Sequence, residues 1–209
     1  MSATEASRLL ALAFDPAVEP ADDEVSRRIL DAALAVAAAS GMKNLTMDEV
    51  ARRAGVGRMT VYRRFRSKSE LIDELAVREC RRCLAQIMSA IEPDAPAADR
   101  LAALATATLK VIHEHPLLER LGRVEPEALL GELSRDGSTV FALVRDFLIG
   151  QIERGQADGE LIDADPALLA EVGVRLGASF VLMPDSVLEL DDEVATRTAF
   201  RTLIAPLVR

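Results

Sequence analysis

Residues 46–65 read TMDEVARRAGVGRMTVYRRF, and the fold of the whole chain turns on this stretch. Thr46 and Glu49 have the S/T-x-x-E spacing of a capping box, which marks the start of a helix. Met47, Val50, Ala51 and Ala54 then fall on one face at helical spacing. Gly55 follows where a helix end favours a residue that enters the left-handed region with no Cβ clash. Val56, Val61 and Phe65 anchor a second short helix from about Gly57 to Arg64, leaving Arg58, Met59, Thr60 and Arg63 outward. Ser67 and Glu70 then repeat the box with Lys68 between them, so a lysine and free N–H groups meet at a helix N-terminus, a good place for a phosphate. The pattern predicts a helix-turn-helix whose outward arginines suit a DNA groove.

From about Val25 to Leu75, roughly a quarter of the chain, this sequence resembles the DNA-binding domain of the TetR family of one-component transcriptional regulators. The resemblance rests on a first helix ending at Gly41, the Leu45-Thr46 entry, Val50-Ala51 and Ala54-Gly55-Val56. It continues through Thr60, Val61, Tyr62, Phe65, Lys68 and Leu71 at family spacing. Two positions depart from the commonest pattern: Gly57 stands where serine often caps, and Met59 where a small residue is usual. A glycine cap costs only about a few tenths of a kcal/mol relative to serine. Met59 matters more, because a bulky apolar side chain either meets a thymine methyl or excludes some sequences, so the family's base preference does not carry over.

Base readout is therefore expected from Arg58, Met59, Thr60 and Arg63, with Arg58 and Arg63 able to grip a guanine edge. Phosphate contacts are expected from Thr46, Arg64 and Lys68, with Arg66 adding charge. The resemblance implies that the hydroxyl of Tyr62 donates to a phosphate. Arg52 and Arg53 are expected to face solvent or a distant phosphate.

Net charge of −9 seems at odds with binding a polyanion, but its distribution reverses the argument. Between Lys43 and Lys68, eight cations against Asp48 and Glu49 leave the segment at +6, so the rest of the chain carries −15. A basic head on an acidic body orients the head toward a duplex.

The chain has 209 residues, half of them apolar, enough to bury one or two cores. Aromatics are only 3%, and the apolar residues recur at helical spacing without strand-like alternation, which predicts an all-α fold. No apolar run approaches the ~20 residues of a membrane span, and the start of the chain lacks the features of a signal peptide, so a cytoplasmic protein is expected, with no membrane partner. The breakers divide the chain into an N-terminal extension at 1–21, a DNA-binding head at 22–75 and a helical body at 76–209. The extension is expected to be disordered or to hold a short helix around Arg8 to Phe14. The head begins with a helix from Asp22 or Asp23 to about Ser40. A long helix from Lys68 to about Ile91 joins head and body, its stripe running through Ile72, Leu75, Cys80, Cys83, Leu84, Ile87 and Ile91. Further helices are expected at about 97–113, 116–121, 125–133, 137–156, 166–183 and 192–207.

In residues 165–183, DPALLAEVGVRLGASFVLM, apolar side chains cover nearly the whole circumference, which means burial on more than one side. The resemblance implies that the last two helices form a four-helix dimer interface, to which we assign Leu169, Gly173, Leu176, Gly177, Phe180, Leu203 and Leu207. It also implies a small-molecule pocket in the body, to which we assign Leu104, Thr108, Phe141, Val144, Arg145, Phe147 and Phe180. That set is mostly aliphatic and suits an apolar or amphipathic effector. The same signs leave Gly173, Gly177 and the pocket residues open to a plain core reading, and Arg145 open to a surface one.

Two constellations imitate chemistry. Cys80-Arg-Arg-Cys83 has redox spacing, but both thiols fall on an apolar stripe. His113-Glu-His115 points its two rings to nearly opposite sides of a helix that Pro116 ends, which argues against a metal site. Nothing resembles a nucleophile elbow, a phosphate loop or a zinc-protease helix, so neither an enzyme nor a cofactor is expected. The sequence points to a homodimeric, ligand-responsive regulator, more readily a repressor, of a palindromic operator in double-stranded DNA. The alternatives are an architectural DNA binder without an effector and a ligand-binding protein with a vestigial head.

Overall fold

The computed structural model describes residues 23–124, 139–183, 187 and 192–209. The extension at 1–21 and the helix expected at 125–133 lie outside the described residues. Those described form helices without a named strand: α1 (Glu24–Ser40), α2 (Met47–Ala54), α3 (Arg58–Arg64), α4 (Lys68–Ser89), α5 (Ala97–Glu114), α6 (Pro116–Val124), α7 (Thr139–Ala157), α8 (Pro166–Leu182) and α9 (Glu193–Ile204). The all-α expectation holds. Helix α6 runs three residues past its expected end, and α9 stops at Ile204 in a 3₁₀ turn over Ala205–Leu207 that contains Pro206.

Local chemistry sets the helix ends. The carboxylate of Asp23 accepts the N–H groups of Val25 and Ser26 at 3.1 Å, which starts α1. Its bond from the Ser26 hydroxyl, followed by its backbone bonds and the nearby Arg64, holds its carboxyl below the ordinary value against partial desolvation. Asp165 and Asp192 cap α8 and α9 in the same way, with Pro166 in the first turn of α8. Gly55 closes α2 at φ +65°, the left-handed region, and a Cβ there would also sit 3.3 Å from the Arg28 guanidinium. Arg28 in turn donates to the Ala54 carbonyl at 2.7 Å, satisfying an acceptor at the end of α2.

One core lies between Ile29 and Leu75, where Leu45, Val50, Val61, Phe65 and Leu71 are buried, and Leu117 of α6 packs against it. In the body α5 is the centre and touches α4, α6, α7, α8 and α9. Its Ala97 and Leu101 pack with Ile152 of α7, Leu161 and Ala170 of α8. Its Ala102 and Leu109 pack instead with Phe200 of α9. Gly155 lets α7 meet α5, since a Cβ there would lie 2.7 Å from Leu161 and 2.8 Å from Ala97.

Head and body are stitched by ion pairs. Arg78 of α4 donates to Asp31 of α1 and to Glu79, each at 2.8 Å, and Glu79 faces His115 Nε2 at 3.1 Å. His115 Nδ1 accepts the Leu118 N–H at 3.4 Å. Burial would raise the Glu79 carboxyl, but the bonds from His115 and Arg78 outweigh it and hold Glu79 below its ordinary value.

Candidate nucleic-acid interface

Helices α2 and α3 meet at the left-handed Gly55, and Gly57 begins α3 with its carbonyl accepting the Thr60 N–H at 2.8 Å and no side-chain cap. Val61 is wholly buried beneath α3, and Phe65 follows it into the core. That anchoring turns the opposite face outward: Arg58 and Arg63 are exposed, Met59 is 79% exposed and Thr60 is half-buried. The structure thus brings the four residues expected to read bases onto one helix, three of them open to solvent.

Arg58 does not simply extend. Its Nη1 donates to Asp48 Oδ2 at 3.1 Å, its Nε lies 3.0 Å from Oδ1, and its guanidinium sits 5.4 Å from the centroid of the half-buried Tyr62 ring. Both ends of the Arg58–Asp48 pair are more than half exposed, so the bond is cheap to exchange for a base or a phosphate. Asp48 escaped the sequence reading, because two residues ten apart meet only through the turn.

The two capping boxes are half formed. Thr46 Oγ1 accepts the Glu49 N–H at 3.3 Å, which leaves the hydroxyl proton free to donate outward. The Glu49 carboxylate turns to Arg52 instead, and that bond holds its carboxyl below the ordinary value. Ser67 Oγ accepts the Glu70 N–H at 3.1 Å, while Glu70 reaches back to the Arg66 N–H at 2.8 Å. Lys68 donates to the Lys43 carbonyl at 2.7 Å, holding its ammonium beside the loop before α2. Arg64 pairs with Asp23, the cap of α1. Arg64 and Lys68 thus sit on the head with their charges engaged by Asp23 and by the Lys43 carbonyl. Thr46 is exposed, while Lys68 and Tyr62 are half-buried.

Residues 29–75 match the family described as bacterial regulatory proteins, tetR family. An uncharacterized HTH-type transcriptional regulator of Mycobacterium tuberculosis is 28% identical over 184 residues, covering 87% of this chain and 84% of the relative. The HTH-type transcriptional repressor DrrR1 of Streptomyces coeruleorubidus is 30% identical over 168 residues, covering 76% of this chain and 56% of that one. A Saccharomonospora viridis protein, assigned as a transcriptional regulator and solved in complex with choline, shares the fold at a TM-score of 0.65 and 21% identity, over 89% of this chain and 98% of that one. The chain carries the DNA-binding domain of the TetR family. It is a transcriptional regulator, with that helix-turn-helix followed by a helical C-terminal domain.

In the body of this chain the residues assigned to a pocket do not all converge. Leu104, Thr108, Phe147 and Phe180 are half-buried, but Val144 is 44% exposed, and Arg145 lies near the surface, 3.5 Å from Glu171 of α8. The Thr108 hydroxyl donates to the Leu104 carbonyl at 2.7 Å, and the Phe180 ring meets Phe200 edge-on with centroids 6.0 Å apart. The side chain of Phe141 lies outside the described residues. Arg145 therefore takes the surface alternative, drawn there by Glu171 and Asp146.

The residues assigned to a dimer face divide in the same way. Leu169 and Leu207 pack against the α5–α7 core, Phe180 against that of α9, and a Cβ at Gly173 would lie 3.1 Å from Leu148. Gly177 has open space beside it, and Leu176 and Leu203 are exposed. What α8 turns outward is another stripe, Leu168, Val172 and Leu176, continued by Met183 just past its end, at 62, 57, 40 and 64% exposure. Arg175 and the half-buried Ser179 interrupt it, and those two polar residues were the signal in the sequence that marked this side as the outer one.

Cys80 and Cys83 are free thiols, half-buried; burial raises Cys80 and pushes Cys83 up to about 11, away from the reactive thiolate. Among the described residues no metal-ligating cluster forms and no helix is long and apolar enough to cross a membrane.

Proposed function

We propose that this regulator is a homodimeric repressor that leaves a palindromic operator when a small, largely apolar effector enters the body. Residues 22–75 act as the reading head and 76–209 as the sensing and dimerising body, with 1–21 an extension. The observation that carries the reading is the pairing of an outward basic helix, α3, with an uncovered apolar stripe on α8. A two-fold partner on that stripe would present two copies of α3 to successive half-sites. Arg58, Met59, Thr60 and Arg63 read bases, while Thr46, Tyr62, Arg64 and Lys68 hold phosphates. The repressor name of the Streptomyces relative and the choline held by the Saccharomonospora protein support a repressor with a small-molecule site. An effector acts by preferring the body conformation whose head spacing mismatches the operator, and α4 carries that change.

Selection from random duplexes, followed by affinity against salt, tests the proposal. A palindrome should emerge, Arg58→Ala should relax one position by about 1–3 kcal/mol of discrimination, and Tyr62→Phe should weaken all sequences alike. Enrichment of no sequence, together with an Arg58→Ala protein that binds as wild type does, sinks the reading.

A further inference from the structure

The most anomalous charged group in the body is Arg100, in the first turn of α5. It is 4% exposed, and its Nη1 donates to the Ala95 carbonyl at 2.7 Å. Its Nε and Nη2 are buried and have no hydrogen-bond partner among the described residues. No carboxylate pairs with it among the described residues, in contrast to buried Glu79, which has two partners. Arginine stays charged throughout the physiological range, so it cannot escape burial by losing its proton, and an uncompensated buried charge is strongly unfavourable. A guanidinium with one edge unsatisfied is matched in shape and charge by a carboxylate.

The surroundings favour an anion. The Ala95 bond holds the guanidinium beside the start of α5, where Pro96 supplies no side-chain cap and the helix dipole favours negative charge. The Ala97 N–H is already taken by the Glu160 carboxylate, so a ligand's head would be held by the Arg100 guanidinium. Along α5, Leu104 and Thr108 follow Arg100 at four-residue steps, both half-buried. The Thr108 hydroxyl is turned back to its own helix, which leaves its methyl for apolar contact. At 1.5 Å per residue this column runs about 12 Å, the reach of a medium-length hydrocarbon chain.

We infer that Arg100 is the anchor of the effector site and that the effector is an amphipathic carboxylate, its head on the Arg100 guanidinium and its chain along Leu104 and Thr108. The inference rests on the proposal that the body senses a small molecule, and adds the chemical class of that molecule.

The test compares decanoate with decanol, its neutral counterpart, by thermal shift and calorimetry on the full chain. Wild type should bind decanoate saturably and at least tenfold more tightly than decanol. Arg100→Met should abolish that preference while melting no lower than wild type, because it removes an unpaired charge. Arg100→Lys, which keeps the charge and loses the fork, should weaken decanoate several-fold and leave decanol unchanged. Equal binding of the two probes by wild type, binding of neither, or a preference that survives Arg100→Met overturns the inference, as does an Arg100→Met protein that melts far below wild type. The broader sensing proposal is judged apart, by release of the selected duplex. Release by a neutral or cationic probe alone keeps that proposal and sinks the Arg100 anchor, and release by no class of probe sinks both.

Discussion

The head and the body solve the same packing problem differently. The head gathers α1 to α4 around one continuous core, with Leu45, Val50, Val61 and Leu71 wholly buried. The body divides its apolar residues between separate clusters on two sides of α5 and leaves a further apolar stripe on α8 facing solvent. A head of this kind needs no partner to satisfy its interior. A body of this kind is complete only when something covers the stripe, because contiguous exposed apolar surface marks a docking face.

The largest effect should come from the head's core. Phe65→Ala removes a ring only 2% exposed and should cost about 3–5 kcal/mol in chemical denaturation. Hydrogen exchange should show α1 to α3 losing protection while α7 to α9 keep theirs. Equal loss throughout would break the comparison, because the two regions would then unfold as one unit.

Smaller in stability but decisive for assembly, Leu168→Glu with Val172→Glu places two charges on the outward stripe. Sedimentation should show the proposed dimer weakened at least tenfold, about 1.4 kcal/mol, with helicity unchanged. A dimer that persists would put the two-fold contact elsewhere and leave the stripe without a role.

The smallest effect lies at the seam. Glu79 is held below its ordinary value of 4.5, so its charged form stabilises the fold above that pH, and the contribution is lost as pH falls through the lowered folded value. Glu79→Gln should therefore melt below wild type near neutral pH, and the interval should close in acid below 4.5. An interval independent of pH would mean that packing, not charge, joins α4 to α6.

The head was legible in the sequence because its turns are chemically marked. The Thr46 and Ser67 caps, the left-handed Gly55 and the inward Val61 and Phe65 each announce a backbone event within a few residues. Helix positions in the body were legible for the same reason, through Asp165-Pro166 and Asp192. Which side of each body helix faces what was not. Apolar residues surround α8 and only Arg175 and Ser179 mark the arc that meets solvent, so Leu169, expected at a dimer face, packs inward. Contacts across elements, such as the Asp23–Arg64 ion pair and the Glu79–His115 hydrogen bond, have no local spacing to betray them. The solitude of Arg100 is likewise visible only once the chain has folded around it.

The ring beneath Arg58 has a practical consequence. Tyr62 is the chain's one tyrosine, and there is no tryptophan. The protein therefore carries a single strong ultraviolet emitter, fixed on the helix that would enter the groove. Its emission reports on that helix and on the head core it packs against, so binding can be followed by light without attaching a dye.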